Sequence, residues 1–204
     1  EVEIDAPFFL GQRPVTQMHW ESIMGYNPSK FQQGWSSGLR PVDSVTLHDC
    51  IEFISKLNQS HNSKQRLSLD GIWRLPTEAE WEYCARSGSE TKWCFGNFDG
   101  DLDDYGWHAG NSGASTREVG LKKANTWELH DMYGLISEWC QDNYRPDYTI
   151  KSKQKPYLNG EDIYCVRGGS WFTESDSTRS SARGQAKSDK SSDGIGLRLV
   201  WEPL

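Results

Sequence analysis

Apolar positions fall into helical register only in the first half of the chain. After Thr46, the residues Cys50, Phe53, Ile54 and Leu57 recur at i, i+3, i+4 and i+7 and predict an amphipathic helix. Thr16 can cap an earlier helix that runs to Ile23-Met24 and is stopped by Gly25. Pro76-Thr77-Glu78-Ala79-Glu80 predicts a third, because Thr77 and Glu80 stand at the spacing of a capping box. Trp81, Cys84 and Ala85 then share its inward face, and Gly88 lies just past its end.

Beyond Gly88 that periodicity fades, and turn formers interrupt the chain from Asn97 to Gly113. Short apolar pieces remain at Tyr164–Val166, Ser170–Phe172 and Ile195–Trp201, and they read as strands of a small sheet. Between the last two, 173–193 carries no apolar side chain larger than Ala. It is expected to be a solvent-facing loop where a ligand is met. No repeat or linker divides the chain, so a single domain over 1–204 is expected.

Composition modifies this picture in three ways. Apolar residues are only 35% of the 204, yet there are 10 Trp, so the core should rest on large aromatic anchors. A formal charge of −7 argues against a nucleic-acid partner. The longest apolar run, Pro7–Leu10, is far too short for a membrane span, and no leader-like segment precedes a hydrophobic stretch. The five cysteines are odd in number and none is paired as C-x-x-C, and the five histidines are scattered singly. Free thiols in a reducing, cytoplasmic compartment are therefore expected in place of disulfides or zinc, although the parent protein's location is not visible.

Four blocks stand out: Trp73–Tyr83 (WRLPTEAEWEY), Gly134–Trp139 (GLISEW), Arg167–Trp171 (RGGSW) and Gly194–Arg198 (GIGLR). Together they resemble the formylglycine-generating enzyme, or sulfatase-modifying factor, family. The resemblance implies an α+β variant of the C-type lectin fold, with little regular structure, a few helices, a small antiparallel sheet and loops often held by calcium. The family's oxidases hold copper with two cysteines, the first of them three residues past the Gly-Gly-Ser serine. Here that position is Thr173, and no Cys follows Cys165. Copper-dependent formylglycine formation is therefore not expected, since Cu(I) selects thiolates over hydroxyls. The iron-binding His triad of the family's sulfoxide synthases belongs mainly to a helical domain that this chain lacks.

Two sets of site residues follow. For calcium, the resemblance implies Asp131, the carbonyls of Gly134 and Ile136, and Glu138, an oxygen set that suits the ion. The family usually has Asn at Leu135 and Gly at Glu128. For ligand binding, the candidates are Trp171, Thr173, Glu174, Asp176, Arg179 and Arg183. The expected function is a non-catalytic module for a protein or small polar ligand, with a 173–193 loop of the kind that some lectin-like relatives diversify by retroelements. The alternative is an enzyme of cysteine-independent chemistry in the cleft around Trp171, Arg179 and Arg183.

Overall fold

The computed structural model describes all residues except 1, 2, 5, 61–69 and 148–155. The three expected helices are present: α1 (Gln17–Met24), α2 (Leu47–Gln59) and α3 (Glu78–Arg86). Thr16 caps α1 by accepting from the His19 N–H, and Gly25 ends it in the left-handed region. Both α2 and α3 begin with reciprocal capping boxes, Thr46–Asp49 and Thr77–Glu80. A fourth helix, α4 (Leu102–Tyr105), lies in the turn-rich stretch where periodicity gave no sign of it. One turn is too short to show a 3.6-residue repeat.

Strands form two sheets rather than one. The first has the order β1 (Phe9–Leu10), β7 (Val200–Pro203), β2 (Gly71–Arg74), and it joins the two ends of the chain antiparallel, with Phe9 and Trp73 both opposite Trp201. The second has the order β5 (Arg183–Lys187), β4 (Ile163–Arg167), β3 (Ser137–Asn143), β6 (Ile195–Gly196). It is antiparallel except where β3 meets β6. The apolar run Ile195–Trp201 thus supplies a strand to each sheet. Gly196 permits this crossing, since a Cβ there would sit 2.3 Å from the Val42 carbonyl oxygen.

Two expectations fail here. Ser170–Phe172 is a turn, not a strand, and 173–193 is not one long loop. It contains a 3-10 turn at Ser175–Thr178 and the edge strand β5, and Thr178, Ser180 and Ser188 within it are buried. Polar composition concealed these because the buried side chains satisfy themselves with hydrogen bonds. Thr178 accepts from Trp93 Nε1 at 3.2 Å, and Ser180 contacts the Tyr133 hydroxyl at 3.2 Å.

Aromatic anchors do organise the core. Trp20 stacks on Phe53 in a cluster that also holds Val42, Val45 and Trp139. Trp81, Trp93, Met132 and Tyr133 form a second cluster beneath α3. Between the clusters lies a buried polar knot. Arg198 grips both carboxylate oxygens of Glu138 at 2.8–3.0 Å, and Trp81 Nε1 donates to the same carboxylate at 2.7 Å. The remaining Arg198 donors reach the carbonyls of Gly11 (2.9 Å) and His130 (2.8 Å). Arg74 plays a similar part nearer the surface, forked onto Glu80 at 2.7 Å and onto Glu202 at 2.6 Å.

Removing one partner of a buried ion pair strands the other charge. Arg198→Ala is therefore expected to cost about 3–5 kcal/mol in chemical denaturation. Pairing it with Glu138→Ala should cost less than the sum of the two single losses. Additive losses would show that the pair is not coupled.

Candidate functional site

Gly168 and Gly169 follow β4 with φ of 96° and 72°, a left-handed pair that turns the chain across the end of the second sheet. Trp171 N–H then donates to the Leu135 carbonyl at 3.1 Å, and Thr173 closes the turn by accepting from Ser170 N–H at 2.9 Å. This fixes the indole of Trp171, whose Nε1 donates to the Asp193 carbonyl at 2.9 Å. Phe31 (5.3 Å) and Phe172 (4.9 Å) meet the indole edge to face.

Lys30 completes the group. Its ammonium is 5.2 Å from the Phe31 ring centre and 5.8 Å from that of Trp171, and it pairs with Asp193. Phe172 is 50% exposed, and Trp35, in the same segment as Phe31, is 98% exposed. The result is a mixed aromatic and cationic face on a hydrogen-bonded frame. Lys30 and Phe31 belong to it but had no local sequence signal, because 140 residues separate Phe31 from Trp171.

The other predicted ligand residues divide. Glu174 and Asp176 are exposed, and among the described residues the Arg179 side chain bonds Asp176 alone, through its carbonyl at 2.7 Å and its carboxylate at 3.5 Å. Arg183 does not join them. Its guanidinium forks onto Glu78 at 2.6 and 2.8 Å and donates to the Arg145 carbonyl at 2.6 Å. Burial alone would raise the Glu78 carboxyl, but the Arg183 hydrogen bond and the charges of Arg167 and Arg183 hold it below its ordinary value. Arg183 is a strut between β5 and the start of α3.

The calcium set is also only partly assembled. Glu138 accepts four N–H contacts from Arg198 and Trp81, which fill its acceptor positions. It does not fit as a direct metal ligand in this arrangement. Gly134 N–H donates to the Gly168 carbonyl at 2.7 Å, and its own carbonyl accepts from Ile136 N–H at 2.8 Å. Asp131 does fit. It is buried, Oδ2 accepts from Gly120 N–H at 2.6 Å, and Oδ1 has no hydrogen-bond partner among the described residues. Burial pushes its carboxyl up, outweighing the Gly120 hydrogen bond and the nearby charge of Arg198. Asp131 (φ 59°), Glu128 (62°) and Leu135 (64°) all stand in the left-handed region. The two departures from the family pattern therefore fall where Gly or Asn suits the backbone better.

The thiols lie apart from this face. All five cysteines are free, Cys50, Cys84, Cys140 and Cys165 are buried, and desolvation raises every one, Cys84 and Cys165 to about 12. Low-pKa thiolates are what make cysteines reactive or metal-binding.

A lectin-like frame with, among the described residues, two small sheets and four helices, and with a tight turn after Gly-Gly-Ser, is that of the formylglycine-generating-enzyme-like class. The chain belongs to the sulfatase-modifying factor enzyme 1-like domain family, whose pattern matches residues 1–203. It is 26% identical to a protein named chaperone protein LppX of Paenibacillus barcinonensis, over 95% of this chain and 79% of that protein. It is 30% identical to the formylglycine-generating enzyme of Mycobacterium tuberculosis, over 64% of this chain and 52% of the enzyme. Among solved structures, Treponema denticola variable protein 1 superposes with a TM-score of 0.87 at 29% identity, covering 96% of this chain and 84% of that one. The family contains both enzymes and proteins named as inactive.

The two arginines should separate cleanly. Arg179→Ala is expected to leave stability within about 0.5 kcal/mol. Arg183→Ala should cost about 3 kcal/mol, because it leaves Glu78 buried with a weaker partner. Equal effects in thermal denaturation would contradict the division into surface and strut.

Proposed function

We propose that this domain is a non-catalytic binding module, and that it meets a protein or polar ligand on the face of Lys30, Phe31, Trp171 and Phe172. The exposed residues Glu174, Asp176 and Ser177 form one flank. The observation that carries this reading is the state of Thr173, the position of the first copper cysteine in the oxidases. Its hydroxyl is held in the turn with Ser170, and no cysteine follows Cys165 in the sequence. A rigid aromatic surface with a cation at its edge offers contact area at little ordering cost, as recognition sites require. The likeness to a protein named a variable protein is in keeping with recognition. Cysteine-independent chemistry around Trp171, Arg179 and Arg183 draws less support, because Arg183 is committed to Glu78.

Two measurements test this. Purified protein with copper and oxygen should leave a sulfatase-motif peptide unoxidised, and formylglycine product would overturn the reading. For a partner identified by wild-type capture, a Phe172→Ala, Lys30→Ala double variant should bind at least about tenfold more weakly with its melting curve unchanged. Retained binding would move the site elsewhere.

A structural calcium belongs to the same proposal, held by Asp131 with nearby carbonyls, while Glu138 stays with Arg198. The unpartnered buried Oδ1 of Asp131 supports it. A chelator should then lower the melting temperature of the wild type but not of Asp131→Asn, which keeps an acceptor for Gly120. Indifference of the wild type to chelator would overturn the calcium assignment.

A further inference from the structure

A second surface lies against the N-terminal strand, and it shares no residue with the Trp171 face. A pocket of about 510 Å³ opens between β1 and α3, walled by Phe8, Phe9, Leu10, Tyr83, Trp127 and Leu129, with no charged residue in its lining among the described residues. That volume is within the range of sites that take ligands or anchoring side chains. Tyr83 and Trp127 meet edge to face at 4.9 Å and are 48% and 42% exposed, and Phe9 is 50% exposed. Clustered aromatic exposure of this kind marks contact surfaces more often than scattered apolar residues do.

β1 is an edge of its sheet, with β7 on one side only. Gly11 N–H donates to the Leu199 carbonyl at 2.8 Å, and Phe9 lies opposite Trp201. Antiparallel alternation therefore turns the N–H and C=O groups of Phe8 and Leu10 away from β7. The Gln12 carbonyl points the same way and accepts from His130 N–H at 3.0 Å, which closes that end of the edge. Among the described residues, nothing bonds the outward groups of Phe8 or Leu10. Such a row of free donors and acceptors is a template for another strand. The flanks are acidic: Glu3 next to Ile4, and Glu128 between Trp127 and Leu129, are exposed and without ion pairs among the described residues.

We propose that this groove docks an extended peptide segment of a partner, which pairs with the open edge of β1 and inserts a large apolar side chain between Tyr83, Trp127 and Leu129. Strand addition supplies the main-chain bonds, and the pocket selects the side chain. Glu3 and Glu128 favour Lys or Arg on either side of the inserted residue. A free small molecule would leave the edge groups of Phe8 and Leu10 unused, so the paired edge is what identifies a peptide as the occupant.

Random linear peptides displayed on phage and selected on the whole protein are the probe. The selected sequences should share a large apolar residue with neighbouring Lys or Arg. Synthesised, they should bind Trp127→Ala and Tyr83→Ala at least about tenfold more weakly than wild type. Phe172→Ala, on the other face, should bind them unchanged. Peptide binding should also slow hydrogen exchange at the Leu10 amide. Failure to select any peptide, a preference for acidic ones, binding by both pocket variants as tight as that of wild type, or no protection at Leu10 each overturns the proposal. So does sedimentation showing a wild-type dimer that Trp127→Ala converts to monomer, because the groove would then belong to a second copy.

Discussion

Arg198 is wholly buried, and its guanidinium donates to three parts of the molecule. It holds Glu138 at the start of β3, the carbonyl of Gly11 just beyond β1, and the carbonyl of His130 in the loop before β3, while Trp81 of α3 shares the same carboxylate. A fold with so little regular structure cannot satisfy its buried backbone by ladders alone, so side chains must do it. The planar guanidinium suits this task, since one rigid group reaches several carbonyls and a carboxylate together. The two apolar clusters depend on this knot, because it sets the position of α3 relative to the second sheet.

The same chemistry serves frame and face, and burial separates the two roles. Arg74, Arg167, Arg183 and Arg198 all pair with carboxylates in buried or half-buried positions. Arg179 and Lys30 carry the same charge where solvent reaches them. A forked pair inside the protein locks elements together, while an exposed cation beside aromatic rings stays available for exchange with a partner.

A binding role and a surviving family frame are compatible because the conserved-looking motifs are structural. Arg74 and Glu80 cap and brace α3, Glu138 is held by Arg198, and the glycines after Arg167 shape a turn. None of these supplies a nucleophile, and catalysis in such a frame needs added groups on the loops. The aromatic face and the open edge of β1 lie on different elements, so each can change without loosening the other.

Much of the frame was determined by sequence alone, for a local reason. Capping boxes, helix stripes and the glycine stop of α1 act within a few residues, so the three longer helices could be read directly. The four motif blocks likewise fixed the family and its fold class. Tertiary structure decided the rest. Whether Ile195–Trp201 made one strand or two depended on Val42 passing beside Gly196, and whether 173–193 was a loop depended on β4 offering an edge to β5. The fate of Arg183 turned on Glu78, 105 residues away, and that of Glu138 on Arg198, 60 residues away. Residue type shows that a charge is present, but only the packed chain decides whether water or a buried partner compensates it.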